Sequence, residues 1–104
     1  MNRLERLQAR LDAGTGPPDA QGCQRWLGGH DGWGRPVVRV GARCLRVHRV
    51  LVELAVGMAP GDLPPLWLAC HTCGHHWCVA VDHLYLGDHR TNAADYYRHQ
   101  AQQP

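Results

Sequence analysis

The stretch His71-Thr72-Cys73-Gly74-His75-His76-Trp77-Cys78-Val79-Ala80-Val81-Asp82-His83 is the most informative part of this chain. Four residues separate Cys73 from Cys78, and four more separate Cys78 from His83. At this spacing one tetrahedral zinc ion can take all three side chains as ligands. A fourth ligand must come from elsewhere in the chain. His71, directly before the first cysteine, is then available for another role.

Length and cysteine content limit what the chain can be. Its 104 residues are enough for one domain, and we expect a single domain over residues 1–104. Five cysteines are an odd number, and the charged N-terminal stretch lacks the apolar segment of a signal peptide. We therefore expect an intracellular protein whose cysteines bind metal rather than form disulfides. No apolar run is long enough to cross a bilayer, so we expect no membrane partner.

The distribution of charge is more informative than the net charge of +2. All eleven basic residues are arginines, and five of them fall in a window without an acidic residue: Arg35, Arg39, Arg43, Arg46 and Arg49. Arginine pairs with phosphate in bidentate geometry and stacks on bases, so the window indicates nucleic acid binding. From charge alone, a solvated arginine-rich face is the alternative.

The N-terminal third contains one helix and a loop. Leu4, Leu7 and Leu11 recur at helical spacing and predict an amphipathic helix over about residues 2–13. Its leucine stripe either docks against the domain or pairs two protomers. A short strand is expected at 24–27, followed by a glycine-rich loop at 28–34.

A two-residue turn at Gly41-Ala42, with glycine first as a type II′ turn prefers, predicts a hairpin in which Val40 pairs with Arg43. The hairpin then has an apolar face and a basic face, and a basic ribbon can lie in a DNA groove. The apolar face carries Val38, Val40, Leu45 and Val47; the basic face carries Arg35, Val37, Arg39, Cys44, Arg46 and His48. A slip of one residue would exchange the faces.

The second half alternates helix and strand. A helix is expected over about 48–56 with Val50, Leu51, Leu54 and Ala55 buried and Gly57 at its end. Strands are expected at 66–70 and 84–86, the second broken by Gly87, with a final helix over about 90–100. The four tryptophans are expected to anchor the core and the loops rather than to act as platforms on which bases stack.

Several motifs in this order resemble the ββα-metal (His-Me finger) nucleases. The closest groups are the His-Cys box homing endonucleases and the small phage and intron HNH endonucleases. The central motif is His71-x-Cys73-x4-Cys78-x4-His83-Leu84, with Asn92 twenty-one residues after His71. Upstream the likeness includes Gly22-Cys23-x-x-Trp26-x-Gly28, Gly32-Trp33-Gly34-Arg35 and His48-Arg49-x3-Glu53-Leu54, and it covers roughly residues 22–98.

This resemblance implies an α+β fold stapled by zinc. It would consist of an N-terminal helix (1–14), a segment with the basic hairpin and the middle helix (22–56), and the ββα-metal motif (66–100). It also implies that Cys23 supplies the fourth ligand of a structural zinc site, beside Cys73, Cys78 and His83. Cys70, His75 and His76 are the alternatives for that fourth position.

The resemblance further implies metal-dependent hydrolysis of DNA phosphodiesters. His71 would be the general base, a neutral imidazole that takes a proton from water. Asn92 would hold one Mg2+ or another divalent cation through its side-chain carbonyl. Asp95 follows Asn92 by three residues on the same helical face, where we expect a solvated surface role rather than help with the cation. The partner would be double-stranded DNA, contacted by Arg35, Arg39, Arg46 and Arg49. Cutting both strands would need a homodimer, since one active site cuts one strand.

Two positions depart from the family pattern. Cys70 stands where many HNH enzymes have an acid or a second histidine, which leaves Asn92 as the sole protein ligand to the cation. Ala80-Val81 replaces the Asn-Pro that the family usually has in the finger. The alternative function is therefore a catalytically inactive zinc-containing DNA-binding module. A zinc-stapled protein-interaction domain is a third possibility, but it gives no reason for the spacing of His71 and Asn92.

Overall fold

The computed structural model describes residues 2–88 and Arg90. Within these residues the strands form two antiparallel pairs, and the fold is a small α+β arrangement. In chain order the elements are α1 (Arg3–Gly14), β1 (Val37–Val40), β2 (Arg43–Arg46), α2 (Val47–Ala55), β3 (Trp67–His71), a 3-10 helix (Val81–His83) and β4 (Leu84–Asp88). The helix expected near 90–100, which would complete a ββα motif and carry Asn92 and Asp95, lies outside the described residues apart from Arg90.

Helix α1 forms as its sequence predicts and packs against its own chain. Asn2 caps it by accepting a hydrogen bond from the Glu5 N–H at 2.8 Å. Leu7 and Leu11 are buried in a cluster that also contains Trp26. Leu7 and Leu11 of the leucine stripe therefore dock against the domain, whereas Leu4 is exposed.

The first hairpin has the expected register. Val40 pairs with Arg43 and Val38 with Leu45, so the apolar side chains share one face. Gly41 has φ 62°, and Ala42 does not have a positive φ. A type II′ turn requires this combination, with a positive φ only at its first central residue. Val47 was expected on the apolar face of the hairpin, and His48 both on its basic face and at the start of the helix expected over about 48–56. The helix α2 contains both residues, because it begins at Val47. The chain turns there because Val47 and Val50 are fully buried in the core, at helical spacing.

Helix α2 packs most of the expected face against the core and buries a second side as well. Val50 is in the core and Leu51 and Leu54 pack against it, whereas Ala55 is exposed. Val52 and Glu53, which were not expected to be buried, are buried too. The reason is that the connection after α2 folds back and covers its second side, through hydrogen bonds to Glu53. Gly57 ends the helix as expected, with φ 84° and its N–H bonded to the Leu54 carbonyl at 3.2 Å.

Strands β3 and β4 lie on either side of the finger, which spans residues 72–83. The pairing runs from Trp67 with Asp88 to His71 with Leu84. The expectation that Gly87 breaks the second strand was wrong: Gly87 is buried within β4 and pairs with Leu68. The residues before and after Gly87 also pair with β3, and this pairing keeps the backbone of one glycine extended.

Residues 24–27 make two isolated bridges, Thr15 with Trp26 and Arg25 with Cys78, instead of the expected strand. These bridges tie the end of α1 and the finger to one segment. The main core cluster comprises Leu7, Leu11, Trp26, Val38, Val47, Val50 and Val79. No helix in the described part of the chain is both long enough and apolar enough to cross a membrane.

Candidate metal centre and the adjoining histidine pocket

Three features of the finger bring Cys73, Cys78 and His83 together. The β3–β4 pairing closes the finger at its base, where the Thr72 N–H donates to the His83 carbonyl at 2.8 Å. Gly74, with φ 78°, turns the chain after Cys73. The 3-10 helix then turns the chain so that His83 points back toward Cys78. The His83 N–H closes this helix by donating to the Ala80 carbonyl at 2.9 Å.

Cys23 reaches this finger from a loop built by Asp19. The Asp19 carboxylate accepts the Gln21 and Cys23 N–H groups, each at 2.9 Å. The Asp19 N–H in turn donates to the Cys23 carbonyl at 2.9 Å. These bonds form an Asx turn that fixes where Cys23 points. The sequence offers a turn signal at Asp19 but nothing that places it beside the finger.

The ligand atoms of Cys23, Cys73, Cys78 and His83 lie within 4.8 Å of one another. His83 Nδ1 is 3.6 Å from the Cys23 sulfur and 3.5 Å from the Cys78 sulfur. A zinc ion with ordinary Zn–S and Zn–N distances would have sulfur–nitrogen edges of about 3.6 Å in a tetrahedron. The two sulfur–nitrogen distances match those of a tetrahedral metal shell, and this cluster could bind a metal ion such as zinc.

The raised pKa values of two thiols indicate that the cluster needs a cation before its cysteines can ionise together. Burial, with the Cys78 and Cys73 sulfurs nearby, raises the pKa of Cys23 to about 12. Burial also raises the pKa of Cys73. Clustered thiolates repel one another in a poorly solvated site, so a cation must supply the compensating charge before they can ionise together.

The alternative fourth ligands lie in other positions. Cys70 is fully buried in β3 and is outside the four-residue cluster. His76 is exposed. His75 is half-buried, and its Nδ1 is 3.4 Å from the Cys23 sulfur, so it borders the cluster and can donate a hydrogen bond to a thiolate there. Metal sites commonly have such outer hydrogen bonds.

His71 is the last residue of β3 and is outside the cluster. Its Nε2 lies 3.0 Å from the Cys78 carbonyl oxygen. His48, in the first turn of α2, places its own Nε2 2.9 Å from the same oxygen, and the two rings meet edge to face at 4.8 Å. A carbonyl only accepts, so each Nε2 carries the proton and each Nδ1 keeps its lone pair.

This shared carbonyl links the metal cluster to the histidines. Cys78 directs its sulfur toward His83 and its carbonyl toward His48 and His71. His48 is expected at the start of the middle helix and on the basic face of the hairpin, but no local pattern predicts its pairing with His71. The pairing depends on how α2 packs against β3 and the finger.

The two histidines border a concavity of about 410 Å³, which we call the histidine pocket. Its lining includes His48, His71, His76, Arg35, Arg46, Arg49, Trp33 and Trp77. Larger concavities of about 590 and 530 Å³ lie elsewhere and contain no histidine. Among these three, only the histidine pocket joins imidazoles to arginines.

Electrostatics keep both imidazoles neutral near pH 7. Burial and the neighbouring His48 lower the pKa of His71 to about 4. Burial also lowers the pKa of His48. A neutral imidazole with a fixed Nε2–H can accept a proton at Nδ1. A nearby phosphate would raise these pKa values, since negative charge favours imidazolium.

The four arginines expected to contact DNA have different surroundings. Arg46 and Arg39 are exposed, but only Arg46 lines the pocket. Arg35 also lines it and is paired with Asp31, with Nε at 2.8 Å from Oδ2. Arg49 donates to the Trp67, Leu63 and Pro64 carbonyls at 2.7, 3.0 and 3.1 Å. Its guanidinium therefore holds the connection to β3 in place, and DNA contact by any of the four stays a prediction.

Hydrogen bonds from backbone N–H groups stabilise the finger around Ala80-Val81, where the resemblance would place Asn-Pro. The Ala80 N–H lies 3.4 Å from the Cys78 sulfur, and the Val79 N–H donates to the Gln24 carbonyl at 2.8 Å. Ala80 itself is 3% exposed. A small side chain fits this buried turn without any polar group to satisfy.

No protein family, curated protein or solved structure matches this chain. The observed fold and site define a small α+β protein with a candidate metal centre of three cysteines and one histidine. Asn92, the expected cation ligand, lies outside the described residues.

Proposed function

We propose that this protein is a metal-dependent DNA endonuclease of the homing-endonuclease type, with a structural zinc ion and His71 as general base. One observation carries the proposal. His71 stands beside the Cys3His cluster but bonds to the backbone of a cluster residue, which leaves its Nδ1 available in an arginine-lined pocket. A purely structural metal knuckle gives no reason for that arrangement.

In this proposal the chain's own residues carry out three tasks. The Cys78 carbonyl orients the His71 ring, and burial keeps the ring neutral until it takes a proton from the attacking water. Arg46 and Arg35 hold the phosphate by charge-assisted hydrogen bonds. A divalent cation held by Asn92 would stabilise negative charge on the phosphate and the leaving 3′ oxygen.

The test is cleavage of supercoiled plasmid by the purified zinc-loaded protein with and without added Mg2+. We expect Mg2+-dependent nicking that falls roughly 100-fold or more in His71→Ala, because a general base contributes at least that much. Asn92→Ala should lose activity in parallel. His30→Ala is the matched control, since His30 is an exposed loop histidine outside the pocket lining, and it should cleave normally.

Two outcomes would contradict the proposal in different ways. Cleavage that survives His71→Ala would remove His71 as the base. DNA binding without cleavage by any preparation would favour the catalytically inactive zinc-containing DNA-binding module.

A further inference from the structure

Trp33 is the most exposed large apolar side chain among the described residues, at 86%. Trp26, by contrast, is 7% exposed and belongs to the core. The chain has no phenylalanine, so its four tryptophans are the largest apolar side chains available to fill the core. Trp33 is nevertheless exposed to solvent. The expectation that all four tryptophans anchor the core and loops is wrong for this one.

The loop that carries Trp33 is tied down. Asp31 Oδ1 accepts the Trp33 N–H at 2.9 Å and the Arg35 N–H at 3.0 Å, while Oδ2 pairs with Arg35 Nε. A bridge between His30 and Pro36 closes the loop behind them. Because the backbone is already ordered, binding through the indole would not require this loop to fold first.

The position of Trp33 indicates a ligand with a flat face and negative charge. Trp33 lines the histidine pocket together with Arg35, Arg46 and His71. No acidic residue occurs between Asp31 and Glu53, and five arginines do. Trp77 lines the same pocket, but Arg25 lies 4.0 Å from its ring centre and His75 stacks on it at 5.1 Å. Within the described residues, no ring or cation stacks on Trp33.

We propose that Trp33 stacks on an unpaired base of single-stranded DNA at the mouth of the histidine pocket, next to the phosphate held by Arg35 and Arg46. A base inside a duplex has both faces covered by its neighbours, whereas an unpaired base offers one to the indole. The inference rests on the proposed function, because it concerns the same pocket. It adds that the substrate has an unpaired base beside the scissile phosphate.

The test measures fluorescence anisotropy of labelled oligonucleotides with the zinc-loaded protein, without Mg2+, at one fixed salt concentration. The probes are oligo(dT) of about 15 nucleotides, an abasic strand of equal charge, a duplex and oligo(rU). We expect oligo(dT) to bind roughly tenfold more tightly than the abasic strand, a difference of about 1.4 kcal/mol. Trp33→Ala should abolish that difference, and Trp33→Phe should restore most of it.

Trp67→Ala is the matched control, because Trp67 is 44% exposed but lies outside the pocket lining. It should keep the preference for oligo(dT), and thermal unfolding should show that all variants are folded. Equal binding of oligo(dT) and the abasic strand, or an equal loss for both in Trp33→Ala, would overturn the inference. Tighter binding of the duplex or of oligo(rU), or no binding of nucleic acid, would also overturn it.

Failure of the two proposals can be told apart. A Trp33-dependent preference for oligo(dT) in a protein that never cuts DNA would support the stacking site and remove the endonuclease. His71-dependent cleavage in a protein whose oligo(dT) binding ignores Trp33 would do the reverse.

Discussion

Cys23 and Cys73 are fifty positions apart in the chain, and the Asp19 turn makes them neighbours. The spacing of Cys73, Cys78 and His83 could be interpreted from the sequence alone because all three lie in one short loop. The fourth member was inferred only from the family resemblance. Its position beside the other three supports that inference.

Cys23→Ser should lose the metal. We expect the wild-type protein to contain one zinc per chain by elemental analysis, and Cys23→Ser to contain far less, because a hydroxyl is a poor replacement for a thiolate ligand. Cys44→Ser should keep its zinc, since Cys44 is exposed on the first hairpin. Full zinc content in Cys23→Ser, or loss in Cys44→Ser, would contradict the assigned ligand set.

Zinc binding should release at least two protons per chain at pH 7. The raised pKa values of Cys23 and Cys73 mean that both thiols are protonated in the metal-free protein, whereas zinc binds thiolates. Affinity for zinc should therefore rise with pH and weaken as pH falls. Titration calorimetry in buffers of different ionisation enthalpy counts these protons, and a value near zero would show that the thiols are already ionised.

At the scale of elements, α2 has a double role. Its first turn places His48 against the Cys78 carbonyl, and its last turns hold the following connection through Glu53. Glu53 is 1% exposed and accepts the Gly61 and Leu63 N–H groups at 3.0 and 2.7 Å. The spacing of apolar residues along the helix could not predict that Glu53 is buried, because its hydrogen-bond partners lie in the loop that follows α2.

Glu53→Ala should therefore destabilise the protein strongly. We expect a loss of about 2–4 kcal/mol in the free energy of unfolding, since the change leaves the buried Leu63 N–H and the half-buried Gly61 N–H without their acceptor. Glu53→Gln should cost less, because its amide oxygen can still accept one of them. Denaturant unfolding measures both.

Asp62→Asn is the matched control for that experiment. Asp62 is an exposed acid in the same connection and should change the unfolding free energy by less than about 0.5 kcal/mol. If Glu53→Ala were as mild as this control, the carboxylate would not be holding the connection in place.

The finger owes its shape to backbone pairing on both sides. The β3–β4 ladder closes its base, and the Arg25–Cys78 bridge supports its far end. This is why Ala80-Val81 fits where the resemblance would place Asn-Pro. The elements themselves were largely predictable: α1, the register of the first hairpin and the strand that leads into His71 all follow local patterns. The errors at Gly87 and Val47 arose where tertiary packing outweighed a local signal.

For the whole molecule, the main core and the metal cluster are adjacent. Val79 belongs to the core, and its neighbour Cys78 belongs to the candidate metal cluster. Cys78 and Ala80 also pack with Cys23 in a second apolar cluster. Loss of metal should therefore affect more than the finger. A chain of this size buries a modest core, and a structural zinc site contributes on the order of 10 kcal/mol to folding.

Chelation should lower the unfolding temperature sharply and remove hydrogen-exchange protection first in residues 22–25 and 72–83. The reason is that both segments meet at the cluster, through Cys23 and the finger. Circular dichroism and amide exchange, with and without a chelator, measure the two effects. Readdition of zinc should reverse them. An unchanged unfolding temperature in the chelated protein would mean that the cluster holds no structural metal.

By itself the sequence determined the local features: the α1 helix, the hairpin register, three candidate metal ligands in one finger and a separate histidine before them. These depend on residues close together in the chain, where spacing translates directly into geometry. Only the tertiary structure decided that Cys23 joins the finger, that His48 shares a carbonyl with His71, and that Trp33 faces solvent. Each of these depends on how distant segments pack, which no local pattern encodes.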